Sequence, residues 1–464
     1  MLFDIDKKPQ AALAAIDDNS GLLTYGDIVY LRISLAGVLP ERELVYCLCE
    51  NRVGALAGFL ALYDCKKVCL LLSAHIDKAL LGVLHDTYSP SYYWMPETMV
   101  EDTSYEKVFC FKGYALCKTG LKAPEMHSDL SMLMTTSGTT GSPKLVRHKY
   151  GNIESNARNV AKVFGWSSEE HGIIDLPMQY TMGLNVINSH LYAGATVLLV
   201  EANLMSPKYW NFIKEQRGTN FTGVPFSYEI LNRLRFQRMD LPYLTTMAEG
   251  GGKLSDNLFK TFAEYAVEKG KRFIATFGTT ETSARLAYLP PEYAATYIGS
   301  IGKAIPEGKL ILVDDNGQEI IDADVEGELR YEGPNVTMGY GTCVEDLKKG
   351  DVFCGVYDTG DLAKKDADGF FYIVGRKKRF LKLYGLRVSL DQSERIIKDN
   401  FGIECACTGD DKKMRIFITE PDKKDDVRKL ISEKTGLIST SFEVIAIEAI
   451  PHFESGKINY RELN

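Results

Sequence analysis

The segment Thr135-Thr136-Ser137-Gly138-Thr139-Thr140-Gly141-Ser142-Pro143-Lys144 places hydroxyls, two glycines and an ammonium in one short run. Glycine lets the backbone approach a ligand closely. Consecutive N–H groups and hydroxyls can surround an anion, and Lys144 adds a compact positive charge. The order is not that of the phosphate loop ending in Gly-Lys-Ser/Thr, nor G-x-G-x-x-G. Ser, Thr and Gly richness alone describes a loop; the closing Pro143-Lys144 is more restrictive. Other residues could do chemistry only in company. Glu281, taken alone, reads as a solvated side chain or a helix cap. Asp361 reads as a turn residue, and Arg376 and Lys457 as solvated charges, when each is taken alone.

These residues need a scaffold. The loop follows an apolar, strand-like run at 130–134. Before it, 44–48 and 68–72 read as buried strands, and 23–36 and 52–63 as helices. Strand, helix, strand with short links predicts a parallel sheet with right-handed crossovers. The pattern recurs at 172–176, 186–192 and 196–200, and again over 219–234. The stretch 87–104 lacks a pattern and reads as a surface connection. After about residue 300, short strands alternate with turns such as Asp314-Asp315-Asn316-Gly317, which predicts an antiparallel region. A basic run, Arg376-Lys377-Lys378-Arg379, precedes a compact α+β segment.

Composition narrows the classes. The chain has 464 residues, 45% apolar and 25% charged, as in globular proteins. Its net charge of −8 argues against broad binding to nucleic acid or an anionic membrane. No apolar run approaches the length of a membrane span. The ten cysteines show neither C-x-x-C nor zinc spacing, which predicts reduced structural thiols in a cytoplasmic protein. Cys47 with Cys49, and Cys405 with Cys407, would each share one face of a strand.

Several further motifs follow the loop in order: Gly250-Gly251-Gly252, Phe277-Gly278-Thr279-Thr280-Glu281, Gly327-Glu328-Leu329, Gly339-Tyr340, Thr359-Gly360-Asp361, Gly375-Arg376, then Lys382, Gly385, Val388 and Ser455-Gly456-Lys457. Together they resemble the adenylate-forming superfamily, which includes acyl-CoA synthetases, aryl-acid ligases, peptide adenylation domains and luciferases. The resemblance implies an α/β fold. A large N-terminal body over 1–376 would hold mixed, mainly parallel sheets with flanking helices and an antiparallel subdomain over about 300–376. A small mobile α+β C-terminal domain would span 377–464, with a hinge near Lys378.

The resemblance also implies a reaction. A carboxylate attacks the α-phosphorus of ATP to give acyl-AMP and pyrophosphate, and a thiol then displaces AMP. Thr136, Ser137, Gly138, Thr139, Thr140, Gly141 and Lys144 would hold phosphates, and Glu281 would bind Mg²⁺. Gly250, Gly251, Gly252, Phe277, Gly278, Thr279 and Thr280 would border the adenine and the reacting groups. Asp361 and Arg376 would hold the ribose. Lys457 would bridge carboxylate and α-phosphate, with Gly385's loop replacing it after the small domain turns. Catalysis would rest on Lys457, Glu281 and Thr136.

Two departures matter. Lys144 is followed by Leu145 rather than glycine. Tyr180, in Pro177-Met178-Gln179-Tyr180-Thr181-Met182-Gly183, stands where the family carries His; tyrosine keeps the ring and loses the cationic form. The acyl pocket would lie near Tyr180, Thr181, Gly183 and Asn185. It offers no Asp for a substrate ammonium, which would be costly to bury unpaired. This favours a carboxylic acid without an α-amine, whether a fatty, short acyl or aryl acid, with CoA as acceptor. The alternatives are a phosphopantetheine thiol on a separate carrier protein, or a silent nucleotide-binding homologue.

Overall fold

The computed structural model describes all residues except 40, 136–143, 384, 385, 411, 454, 455 and 464. The phosphate-loop residues Thr136, Ser137, Gly138, Thr139, Thr140 and Gly141, and also Gly385, therefore lie outside the described residues.

Two large mixed sheets build the body. Among the described residues, one has nine strands, in the order Lys303–Ala304, Ala284–Leu289, Arg272–Thr279, Thr246–Glu249, Asn220–Gly223, His171–Ile174, Thr196–Leu199, Leu13–Asp17 and Leu22–Thr24. Its middle strands are parallel and its edge pairs antiparallel. Parallel strands covered on both faces need continuous apolar runs. The second sheet, of eight described strands, shows this in Leu44–Cys49, all six residues of which are buried. Helix Val53–Asp64 is apolar all round and buried along nearly its whole length, within a core cluster that also draws on strands of both sheets. Helix Tyr25–Val38 starts where Thr24 and Asp27 cap each other, at 3.0 and 2.9 Å.

One expectation fails. The stretch read as a surface connection contains strand Tyr92–Pro96, paired parallel with Leu44–Cys49 and antiparallel with Tyr114–Lys118. Trp94 is fully buried and donates to the Gly54 carbonyl at 3.0 Å. The strand has only five residues, and Pro90, Ser91 and Pro96 around it mimic a loop, while its aromatic content is what a strand favours.

After residue 300 the described residues form a five-stranded antiparallel sheet, ending with Gly327–Glu332, Val356–Lys365 and Phe371–Arg376. The smaller C-terminal domain holds the hairpin of Phe380–Leu383 with Leu386–Ser389, helices Leu390–Phe401 and Lys424–Thr435, and a sheet of Cys405–Asp410, Lys413–Ile418 and Phe442–Ala446. Cys47 and Cys49 face one core and Cys405 and Cys407 another, as their two-residue spacing predicts. No described helix is long and apolar enough to cross a membrane.

Candidate active site

The expected residues converge where the nine-stranded sheet, the five-stranded sheet and the C-terminal domain meet. Strand Arg272–Thr279 leads into the short turn Thr280–Thr282, which carries Glu281. Tyr340 donates its hydroxyl to Glu281 Oε1 at 2.8 Å and lies 3.3 Å from the Tyr357 hydroxyl. Lys144 Nζ sits 3.7 Å from the centre of the Tyr340 ring. One tyrosine thus touches both the acid and the cation that the motifs pair with metal and phosphate. Sequence reading quoted Tyr340 within a motif without assigning it this contact.

Asp361 lies on Val356–Lys365 and Arg376 on Phe371–Arg376, paired across the ladder. Arg376 Nε reaches Asp361 Oδ1 at 2.7 Å. Asp361 is 3% exposed, and its Oδ2 has no partner among the described residues. Burial pushes its carboxyl up to about 6, against the pull of Arg376. An orphaned buried carboxylate oxygen calls for a donor, and sugar hydroxyls supply donors.

Lys457 arrives from the other side. The Phe453 N–H donates to the Lys457 carbonyl at 2.8 Å, closing the turn that presents it. Gly456 within that turn has φ +74°, and a Cβ there would meet Val224 at 2.6 Å, so glycine fits on both counts. Lys457 Nζ is 5.6 Å from the centre of the Tyr180 ring, in cation–π range. Burial and repulsion from Arg376 hold its ammonium below the ordinary lysine value, while Glu281 and Asp361 oppose that shift.

Tyr180 stands at the start of helix Thr181–Ala193. Burial pushes its phenol up to about 12, so it remains neutral. Gly251, at φ +79°, leaves room for that hydroxyl, which a Cβ would meet at 2.8 Å. Gly250 and Gly252 flank it at the end of strand Thr246–Glu249. Thr181 donates to Thr280 at 3.0 Å, joining the two motifs. The Thr279 N–H donates to the Thr282 hydroxyl at 3.3 Å. Phe277 is half-buried, and Gly278 pairs with Arg285 across the sheet.

Other expected residues fall elsewhere. Gly183 packs beneath the carbonyls of Pro177 and Leu176. Asn185 is withdrawn into the body, accepting from Arg285 at 2.5 Å and donating to Asn156. Lys378 lies exposed in the turn between Phe371–Arg376 and Phe380–Leu383. Arg285 was missed altogether: it is a single charge in the otherwise apolar strand Ala284–Leu289, and nothing local marks it as buried.

Among the described residues no cluster of three His, Cys, Asp or Glu could hold a metal. Glu281 alone still fits Mg²⁺, which takes one or two carboxylates plus substrate phosphates.

The chain resembles known proteins in sequence and in fold. The chain is 27% identical over 372 residues to 2-succinylbenzoate–CoA ligase of Enterococcus faecalis, covering 79% of this chain and 75% of that one. Its fold matches o-succinylbenzoate CoA synthetase of Bacillus subtilis in complex with the acyl-adenylate intermediate, with TM-score 0.80, 19% identity, and 100% and 97% of the two chains covered. ATP-bound MatB from Rhodopseudomonas palustris matches at TM-score 0.79 and 21% identity, covering 100% and 97%. Residues 35–341 match the family model described as AMP-binding enzyme, and the chain belongs to that family.

Proposed function

We propose that the protein is an ATP-dependent carboxylic acid–CoA ligase that works through an acyl-AMP. The observation that carries this reading is the meeting of Lys457 with Tyr180, Glu281, Asp361 and Arg376. The ligase names of its relatives support it.

In the first step a carboxylate oxygen of the acid bonds to the α-phosphorus, and the bond to the bridging oxygen breaks, releasing pyrophosphate. Both reactants are anions, so the protein must neutralise charge and align them. Lys457 supplies its ammonium where charge builds. Asp361 accepts from the ribose hydroxyls and Arg376 steadies that carboxylate. Lys144 meets the outer phosphates, and Phe277 lies against the adenine. Glu281, held by Tyr340, would hold the Mg²⁺ that further neutralises the phosphates.

In the second step the thiol sulfur of CoA bonds to the acyl carbon. The bond to the phosphate oxygen breaks, AMP leaves and the thiol proton passes to solvent. Lys457 must first vacate the site, so we place a domain boundary at 376/377 and a hinge at Lys378, whose turn is exposed. The Tyr180 ring stays neutral in both steps.

A pyrophosphate-release screen over carboxylic acids, with Mg²⁺ and then with CoA or purified carrier proteins, tests the reading. Release with an acid, followed by an acyl-CoA product, is expected. Acylation of a carrier protein and not CoA would replace the acceptor. Release with no acid would overturn the activity.

A further inference from the structure

The turn that carries Glu281 runs against the backbone preferences of its residues. Ser283 and Ala284, just beyond it, have φ +55° and +93°. Both carry a Cβ, which that left-handed region penalises. Residues held this way persist only where their surroundings over-determine them. Here one segment, 333–340, supplies the surroundings. The Thr337 N–H donates to the Glu281 carbonyl at 2.9 Å. Asn335 donates from Nδ2 to the Thr282 carbonyl at 2.7 Å, and its own carbonyl accepts from the Ser283 hydroxyl at 2.9 Å. Tyr340 completes the set at Glu281 Oε1. Three successive residues of the turn are thus tied to one stretch of chain, Glu281 twice.

Asn335 is the centre of these ties. It is fully buried, and its amide is fixed at both ends. The Thr282 carbonyl can only accept, so it takes the nitrogen, while Tyr331 donates its hydroxyl to Oδ1 at 2.7 Å. Asn152, equally buried at the start of helix Asn152–Phe164, donates to the carbonyls on either side, Pro334 at 2.8 Å and Val336 at 2.9 Å. Two asparagines thus carry a fixed position from that helix through 334–336 to the turn. On its other flank the chain doubles back so closely that a Cβ on Gly278 would lie 1.4 Å from the Ala284 carbonyl oxygen.

Resting on the reading that Glu281 holds Mg²⁺, we propose that Asn335 is a positioning residue for that metal: it clamps the strained turn and so fixes where the Glu281 carboxylate points. Mg²⁺ demands near-ideal octahedral geometry and takes only one or two carboxylates, so a single acid serves it well only when held in place. Asn335 acts through the Thr282 carbonyl and the Ser283 hydroxyl, not as a ligand. The strain at Ser283 and Ala284 is the cost of that aim, and the bonds to Asn335 offset it.

Melting of the full chain with ATP and no acid tests this, because nucleotide binding is then read without turnover. Wild type should melt higher with ATP and Mg²⁺ than with ATP and EDTA, and the Mg²⁺ midpoint of that rise is the readout. Asn335→Ala should raise the midpoint about tenfold or more, the usual cost of losing an outer partner of a metal ligand, while stabilisation by ATP in EDTA is kept. Tyr331→Phe should move the midpoint the same way by less. Ala284→Gly separates aim from stability. It relieves the strain, so the unliganded protein should melt no lower than wild type, yet the looser turn should still raise the midpoint. An unchanged midpoint in Asn335→Ala would overturn the proposal alone. Should that variant not fold, unchanged midpoints in Tyr331→Phe and Ala284→Gly would do the same. Stabilisation by ATP that ignores Mg²⁺ in wild type, or that keeps its Mg²⁺ midpoint in Glu281→Gln, would overturn the metal reading of Glu281 and this proposal with it.

Discussion

Arg379, half-buried, and Arg285, fully buried, are treated in opposite ways in this molecule. Arg379, where the C-terminal domain begins, is answered by acids. It pairs with Asp391 and with Glu394 at 2.8 Å, donates to the Cys407 carbonyl at 2.9 Å and lies 4.1 Å from the Tyr460 ring centre. Its acids hold it well above the ordinary arginine value despite burial. Asp391 also accepts the Arg376 N–H at 2.8 Å, so this knot sits where the chain leaves the five-stranded sheet. Arg285, deep in the body, has neutral partners and is pulled down instead. The paired charge fastens a hairpin, a helix and a sheet into one unit; the other leaves its Nε without a partner among the described residues.

The comparison breaks most readily at Arg379. Arg379→Ala leaves Asp391 and Glu394 facing each other without a cation, and stability should fall by about 3 kcal/mol. Urea unfolding followed by C-terminal proteolysis reads this, and a loss under about 1 kcal/mol would mean the knot is not closed in solution. Arg285→Leu should behave otherwise. It removes an uncompensated buried charge and keeps an apolar stem, so stability should change by less than about 1 kcal/mol, or rise. A loss as large as that at Arg379 would erase the distinction.

A smaller effect concerns the acid opposite Arg376. Asp361 titrates near 6 in the fold against 3.8 ordinarily. Between those values the folded state holds an extra proton, so this group's contribution to stability declines as pH rises through the window. Ribose binding needs the ionised form, so KM for ATP should rise roughly tenfold per unit as pH falls below about 6. A flat profile from pH 5 to 7.5 would put the ribose elsewhere.

Motif order singled out several residues that the fold then brings together. Glu281, Asp361, Arg376 and Lys457 are scattered along the chain, and the folded sheets and C-terminal segment bring them together. What stayed hidden has a physical reason in each case. Strand Tyr92–Pro96 is short and bracketed by prolines and serine. Arg285 is a single charge in an apolar strand, and nothing local distinguishes a buried guanidinium from an exposed one. Tyr340 acts by touching Glu281 and Lys144, 59 residues away in the first case, a contact only tertiary structure reveals.

The central claim is that Lys457 serves acyl-AMP formation and then leaves. Single-turnover assays of the two half-reactions in Lys457→Ala address it directly. Formation of acyl-AMP from acid and ATP should fall on the order of 10²–10³-fold, the usual cost of one transition-state donor. Thioester formation from supplied acyl-AMP and CoA should survive. Equal loss of both half-reactions, in a protein that still melts cooperatively, would contradict the account.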